Sequence, residues 1–217
     1  MKEEVFKDYF YCSKNIEILR SSFSEERLST YVDACSGDGE RALRLYAWNS
    51  LVSAALYVSL QGLEITLRNG LHKAVSGTFT CHWYDKAPFS ASEKSQIKHA
   101  KETLEKKNKP LGSGRLVAEL SFGFWVSLLR PHYIHTLWIP CLRHAFVKPL
   151  DPKHTFHQLD HLRRLRNRIA HHEPIFSRDL KKDYESLLSV IEWMCPTAKH
   201  WIDCHSEVSR VLRDRPS

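Results

Sequence analysis

Leu45, Val52, Leu56, Leu63, Leu67 and Leu71 recur at intervals of four or seven residues. Together such intervals hold one face of an α-helix, whereas on a strand each step of seven would change faces. The pattern opens at Glu40 and holds to about Ser76-Gly77, so one long helix, straight or kinked, is expected across the span. Asn69-Gly70 is a hairpin signal by composition, but its flanks do not alternate and it is read as helical. A chain with one helix of that length must assemble its remaining core against it. Eight glycines and nine prolines in 217 residues, with no evenly spaced turn signals, argue against a sandwich or barrel. The expected fold class is all-α.

Other segments share the same period. Ser22-x-x-Glu25 reads as a capping box that opens a helix through about Cys35, before Ser36-Gly37-Asp38-Gly39 breaks it. Residues 77 to 91 read as a loop rich in aromatics and turn formers. Ser90-x-x-Glu93 then opens a short basic helix with a thin stripe of Ile97, Ala100 and Leu104. Its Lys94, Lys98, Lys101, Lys106 and Lys107 suit a solvated face, or contact with RNA. After a flexible break at Lys109 to Gly114, the run Leu116 to Leu129 is apolar almost all round and predicts a single buried helix. Four prolines (131, 140, 149 and 152) punctuate the next stretch, and a helix is expected from about His154 to His172. Two helical patterns split by Pro196 close the chain. One uses Leu180, Tyr184, Leu187, Ile191 and Met194, the other Trp201, Val208 and Leu212. The length suits one core, giving a single domain with N-terminal helices (about 1–76), a basic helix and loop insertion (77–114) and a bundle (115–217).

A formal net charge of +7, with 13 histidines that add charge as pH falls, suits an anionic partner, nucleic acid before membrane. The six cysteines form no Cys-x-x-Cys, and their scatter fits neither a zinc site nor a small disulfide scaffold. Met1-Lys2-Glu3-Glu4 is charged and leads into no apolar signal core. The most apolar region, Leu51 to Leu67, is interrupted by Ser53, Ser59, Gln61 and Glu64, which argues against a membrane span. A cytoplasmic protein without a membrane partner is expected.

The heptapeptide Arg166-Asn167-Arg168-Ile169-Ala170-His171-His172 carries the chemistry, with Pro174 to stop its helix. Arginine neutralises phosphate with fixed donors, and histidine exchanges a proton near neutral pH. RNA supplies its own nucleophile, the 2′-hydroxyl, so these groups suffice to cleave a phosphodiester without a metal. His171 suits the proton transfers. Arg166 suits the charge developing on the non-bridging oxygens. Asn167 can orient either the histidine or a phosphate oxygen. His172 can share the acid–base work or contact the backbone, and Arg163 and Arg168 are further RNA-contacting candidates. The product would carry a 2′,3′-cyclic phosphate, and DNA would resist. The same residues also suit a plain helix end, where imidazoles favour the negative pole of the macrodipole. Five residues at about 100° each put Arg166 and His171 roughly 140° apart on a straight helix. Either the helix loosens before Pro174, or two copies complete the site across a symmetric interface.

Three blocks in order carry a resemblance. They are Leu45-Tyr46-Ala47-Trp48-Asn49 with Leu63-Glu64-Ile65-Thr66-Leu67-Arg68-Asn69, then Leu116-Val117-Ala118-Glu119-Leu120-Ser121-Phe122-Gly123-Phe124-Trp125, then Leu165-Arg166-Asn167-Arg168-Ile169-Ala170-His171-His172-Glu173. From about Phe23 to Ile191 the chain resembles the bacterial abortive-infection (Abi) family of the AbiD/AbiF type, within the HEPN superfamily. The resemblance implies a HEPN-like helical bundle with additional helices, a homodimer with a composite cleft, and metal-independent endoribonuclease activity without a cofactor. It further implies a role in phage defence or as an RNA-cleaving toxin, restrained by a small-RNA or protein antitoxin. Carried over by position, Arg166 and His171 are the catalytic pair and Asn167 the adjacent polar residue. Some superfamily members only bind RNA, so a non-catalytic module that senses or sequesters an RNA stands as the alternative.

Glu64 and Arg68 lie four apart on the long helix, with Asn69 beside them. Glu64 either pairs with Arg68 within the helix or projects towards Arg166 and holds it, which makes the three possible supporting residues. Glu119 reads as a capped or paired structural carboxylate. His154, His157 and His161 share a face, yet no carboxylate or cysteine completes a metal set there, so no metal is expected. The six tryptophans read as core.

Overall fold

The computed structural model describes residues 9–216, and the charged start Met1-Lys2-Glu3-Glu4 lies outside the described residues. Among these residues all regular structure is helical, with no strand. The α-helices in chain order are α1 (Ser13–Phe23), α2 (Glu25–Ala34), α3 (Gly39–Phe79), α4 (Trp83–Lys86), α5 (Ala91–Lys106) and α6 (Ser113–Glu119). They continue with α7 (Phe122–Ser127), α8 (Pro152–Ala170), α9 (Leu180–Glu192), α10 (Pro196–Cys204) and α11 (Val208–Arg213). Short 3-10 turns at Pro131–Tyr133 and Leu142–Ala145 flank a π-helical turn at Ile134–Trp138, so the proline-punctuated stretch stays helical in short pieces.

The apolar period from Glu40 becomes one 41-residue helix, α3, which also runs through Asn69-Gly70. By length and composition alone it could cross a membrane. Its periodic edge is instead covered by protein: Leu56, Leu63, Leu67 and Leu71 are fully buried. Gly62 shows what lets the helix pack so closely, because a Cβ there would collide with the Ile202 side chain of α10.

The chain divides into two compact units, and α3, α8 and α9 each contribute to both. One unit comprises the chain up to Val58, Asn167–Glu185 and the chain from His205. Its core gathers Leu28, Tyr31, Trp48, Ile175 and Phe176. The Trp48 indole donates to the Val211 carbonyl at 2.8 Å, and the Tyr31 ring meets Tyr46 edge-on and Phe176 at a tilt. Burial pushes the Tyr31 phenol up to about 12, so it stays neutral at any working pH.

The other unit comprises Ser59–Arg166 and Ser186–Cys204. Trp83, Phe89, Phe124 and Trp125 form its aromatic centre. Beside them Glu93 is enclosed, with no cation paired to it among the described residues. It accepts from the hydroxyls of Ser90, of Ser127 at 2.8 Å and of Tyr133 at 2.7 Å. Burial alone would raise the Glu93 pKa, but these hydrogen bonds outweigh it and hold the carboxyl below its ordinary range.

Several expectations are corrected. The helix to Cys35 is capped two residues later than expected: Ser22 belongs to α1, and Ser24 caps α2 by accepting from the Arg27 N–H. Ser24 sits at a φ of 73° between the two helices, which gives the turn a position that Ser22 does not occupy. Ser90 precedes α5 as expected, but not as a capping box. Its hydroxyl donates to Glu93, and its N–H donates to the Tyr133 hydroxyl at 2.7 Å. The apolar run Leu116 to Leu129 is two helices rather than one, because Ser121 caps α7 by accepting from the Phe124 N–H. The aromatic loop contains the short helix α4. The last pattern is split between α10 and α11, and Trp201 is 61% exposed, whereas the other five tryptophans are core.

Candidate functional site

Helix α8 is built to end where the motif is. Asp151 opens it, its carboxylate accepting from the His154 N–H at 2.6 Å, and Pro152 takes the first helical position, where no N–H is needed. Leu159, Leu162, Leu165 and Ile169 are buried along one edge. The i→i−4 series continues to the His171 N–H, which donates to the Asn167 carbonyl at 2.9 Å, so the helix does not loosen before its cap. Beyond Ala170 the His172 N–H donates to the Ile169 carbonyl and the Glu173 N–H to the Arg168 carbonyl. These two bonds make a Schellman cap with His172 in the left-handed position, at a φ of 56°. Glycine is the ordinary occupant there. An L side chain costs about 1 kcal/mol or more, so histidine at this position is strained. Both His171 and His172 are exposed.

Within the unit that contains this cap, most of the surrounding polar groups are engaged, although the Arg168 Nε is buried without a hydrogen bond. Arg27 donates to the His172 carbonyl at 2.9 Å. Arg168 donates to the Pro174 carbonyl at 2.7 Å and lies 3.5 Å from the Glu173 carboxylate. The buried side-chain oxygen of Asn49 accepts from the N–H groups of Ile175 and Phe176, at 2.8 and 3.1 Å, which pins the chain after Pro174 to α3. Asn167 is half-buried. A groove of about 590 Å³ lies beside the cap. Tyr46, Asn49, Ser50, Ser53, Ala54 and Tyr57 form its α3 side, with Ile169, Ala170 and His172 opposite.

In the other unit, the Nε of Arg166 lies 3.5 Å from the Glu64 carboxylate, without the alignment of a hydrogen bond, and is itself buried and unpaired. Of the two readings of Glu64, this contact is the one towards Arg166. The Arg68 Nε is likewise buried without a hydrogen bond, while Asn69 is exposed. Arg163 and Arg164 share the Asp160 carboxylate, with contacts of 2.7 and 2.9 Å. Partial burial would raise the Asp160 pKa, but the two guanidinium groups prevail and lower it. Glu119 is paired with Lys107 at 2.7 Å, as a structural carboxylate. The lysines of α5 are partly engaged, with Lys101 on Asp85 and over the Tyr84 ring.

Among the described residues no three metal-ligating side chains come together. His154 packs near the Trp193 ring and His157 beside Phe156. The described cysteines are all free thiols. Sequence reasoning missed Arg27, the Asn49 amide contact and the groove. Asn49 belongs to the Leu45–Asn49 segment, but no local pattern announces a partner more than a hundred residues away.

No protein-family model matches the chain, and no curated protein or solved structure matches it.

Proposed function

We propose that this protein is an endoribonuclease of the HEPN type, with a HEPN-like bundle, that cuts single-stranded or looped RNA without a metal. The observation that carries the reading is the end of α8. An exposed His171 is followed by a histidine held in a strained left-handed cap that glycine would fill at less cost. Strain of this kind clusters at functional positions, and of the three non-glycine caps of this form, at Ser36, Asn108 and His172, only the last follows the arginine–histidine motif.

In the mechanism His171 takes the 2′-hydroxyl proton or supplies one to the leaving 5′ oxygen, a contribution of about 100- to 10,000-fold. Arg166 stabilises charge on the non-bridging oxygens, with Glu64 positioning it. Attack of the 2′ oxygen on phosphorus breaks the bond to the 5′ oxygen and leaves a 2′,3′-cyclic phosphate. The helical bonds that persist to His171 support completion of the site by a second copy of the chain over a loosened helix. The biological setting that fits is abortive infection or an RNA-cleaving toxin in the cytoplasm, restrained by a small-RNA or protein antitoxin.

The test is incubation of purified protein with single-stranded RNA in EDTA. Wild type should release 2′,3′-cyclic ends, with Arg166→Ala and His171→Ala each slower by about 100-fold or more. Equal cleavage by all three would remove the assignment. A second reading, RNA binding without turnover, is favoured by the +7 charge and by the structural commitments of Arg163 and Arg168. It predicts salt-dependent retention of intact RNA.

A further inference from the structure

We propose that the groove between α3 and the His172 cap binds one unpaired, amine-bearing nucleobase of the RNA strand. The inference deepens the ribonuclease reading and rests on it for the identity of the strand. Its volume of about 590 Å³ lies within the range of small-ligand sites.

The α3 side explains the shape. Tyr46, Asn49, Ser50, Ser53, Ala54 and Tyr57 fall at helical intervals along one face, with small residues in the middle and a tyrosine at either end. The small side chains make the hollow. The two tyrosines differ in what else they do. Tyr46 packs against Phe23 and Tyr31 as part of the core. Tyr57 keeps 49% of its surface exposed, leaving its ring as a platform on which a base can stack.

The polar lining selects the occupant. The Ser53 hydroxyl donates to the Asn49 backbone carbonyl at 2.7 Å and the Ser50 hydroxyl to the Tyr46 carbonyl at 3.2 Å. With their protons committed, both oxygens remain as acceptors. The Asn49 side-chain oxygen is saturated by two backbone N–H groups, so only its NH2 can serve a ligand. An anion would face the two hydroxyl oxygens unfavourably, and an apolar segment would desolvate them without return. A flat ring carrying an exocyclic amine answers both the tyrosine and the acceptors. His172 on the opposite wall places this ring close to His171 in the chain, the residue assigned to proton transfer.

The experiment measures binding of the full-length protein to short 2′-O-methyl oligocytidine and oligouridine by fluorescence anisotropy. Neither RNA can be cut by its own 2′ oxygen, and the two bases differ at position 4, an amine in cytosine and a carbonyl in uracil, and at N3, an acceptor in cytosine and an N–H donor in uracil. Oligocytidine should bind several-fold tighter. Tyr57→Ala and Ala54→Leu, both at exposed positions, should each weaken it by roughly ten-fold or more, while Tyr57→Phe binds like wild type. Equal affinity for the two RNAs, or both groove variants within roughly two-fold of wild type, overturns the proposal. His171→Ala should leave these affinities unchanged while slowing cleavage of ordinary RNA by about 100-fold or more. Base-dependent binding by a protein that cuts no RNA would therefore retire the nuclease and keep the groove. Cleavage that is indifferent to the groove variants does the reverse.

Discussion

Glu93 and Arg166 are both charged groups drawn into the same unit, and their surroundings differ in kind. The Glu93 carboxylate has no cation among the described residues, yet the hydroxyls of Ser90, Ser127 and Tyr133 all donate to it. It ties α5 to α7 and to the turn at Pro131–Tyr133, and nothing about it is left unanswered. The Arg166 guanidinium has the opposite arrangement, a carboxylate at 3.5 Å but a buried Nε with no hydrogen bond. The Arg68 Nε on α3 is likewise buried without a hydrogen bond. Native interiors satisfy their polar groups, and the exceptions concentrate at functional positions. The Tyr31 hydroxyl and the Trp83 and Trp125 indoles are also buried without a hydrogen bond, so what sets Arg166 apart from these is an unanswered donor on a charged group beside a carboxylate.

The largest effect that would break this contrast is on Glu93. Glu93→Ala removes the acceptor of three hydroxyls, of which Ser127 keeps its bond to the Phe124 carbonyl, and should lower unfolding stability by about 3 kcal/mol, or roughly 6 to 12 °C in Tm. RNA cleavage per folded molecule should not change. Loss of cleavage at unchanged Tm would move Glu93 to the functional side of the comparison. The pH dependence has a definite sign. A carboxyl whose folded pKa is depressed contributes stability above its unfolded pKa and loses it as pH falls through the folded value. Wild type should therefore lose stability on acidification more steeply than Glu93→Ala, measured as urea midpoints across the acid range.

Glu64 sharpens the contrast from the other side. Glu64→Gln keeps the shape and removes the charge beside Arg166, so cleavage should fall by about ten-fold through misplacement of the guanidinium. Stability should move by less than about 1 kcal/mol, because the contact is partly exposed and lacks a hydrogen bond. An unchanged kcat would make the ion pair merely structural.

Legibility in the sequence divides along the same line, between local and distant causes. The long helix was legible because its leucines repeat within a few residues of one another, and the arginine–histidine spacing because it lies within two turns. The break between α6 and α7 was hidden although its signal, Ser121, was present, since the apolar run on both sides outweighs one cap. Gly62 reads as a flaw in α3 until Ile202 is placed against it. Arg27 on the His172 carbonyl and Asn49 beneath Ile175 join positions 145 and 126 residues apart. No periodicity encodes such pairs. The left-handed backbone at His172 was invisible for a related reason, because the helix-stop signal was attributed to Pro174 alone.

That position gives the smallest expected change and the most direct separation of folding from function. The Schellman bonds are made by backbone groups, and Arg27 also binds the backbone carbonyl of His172, so His172→Gly keeps every one of them. Glycine removes the Cβ penalty at a φ of 56°, partly offset by the greater freedom of the unfolded chain. The variant should gain up to about 1 kcal/mol in denaturant unfolding, yet bind RNA more weakly because the groove has lost one wall. A stabilised protein with poorer RNA affinity is what a strained functional residue predicts. If His172→Gly is less stable than wild type, the imidazole itself supports the cap, and the histidine belongs with Glu93 among the residues that hold the fold.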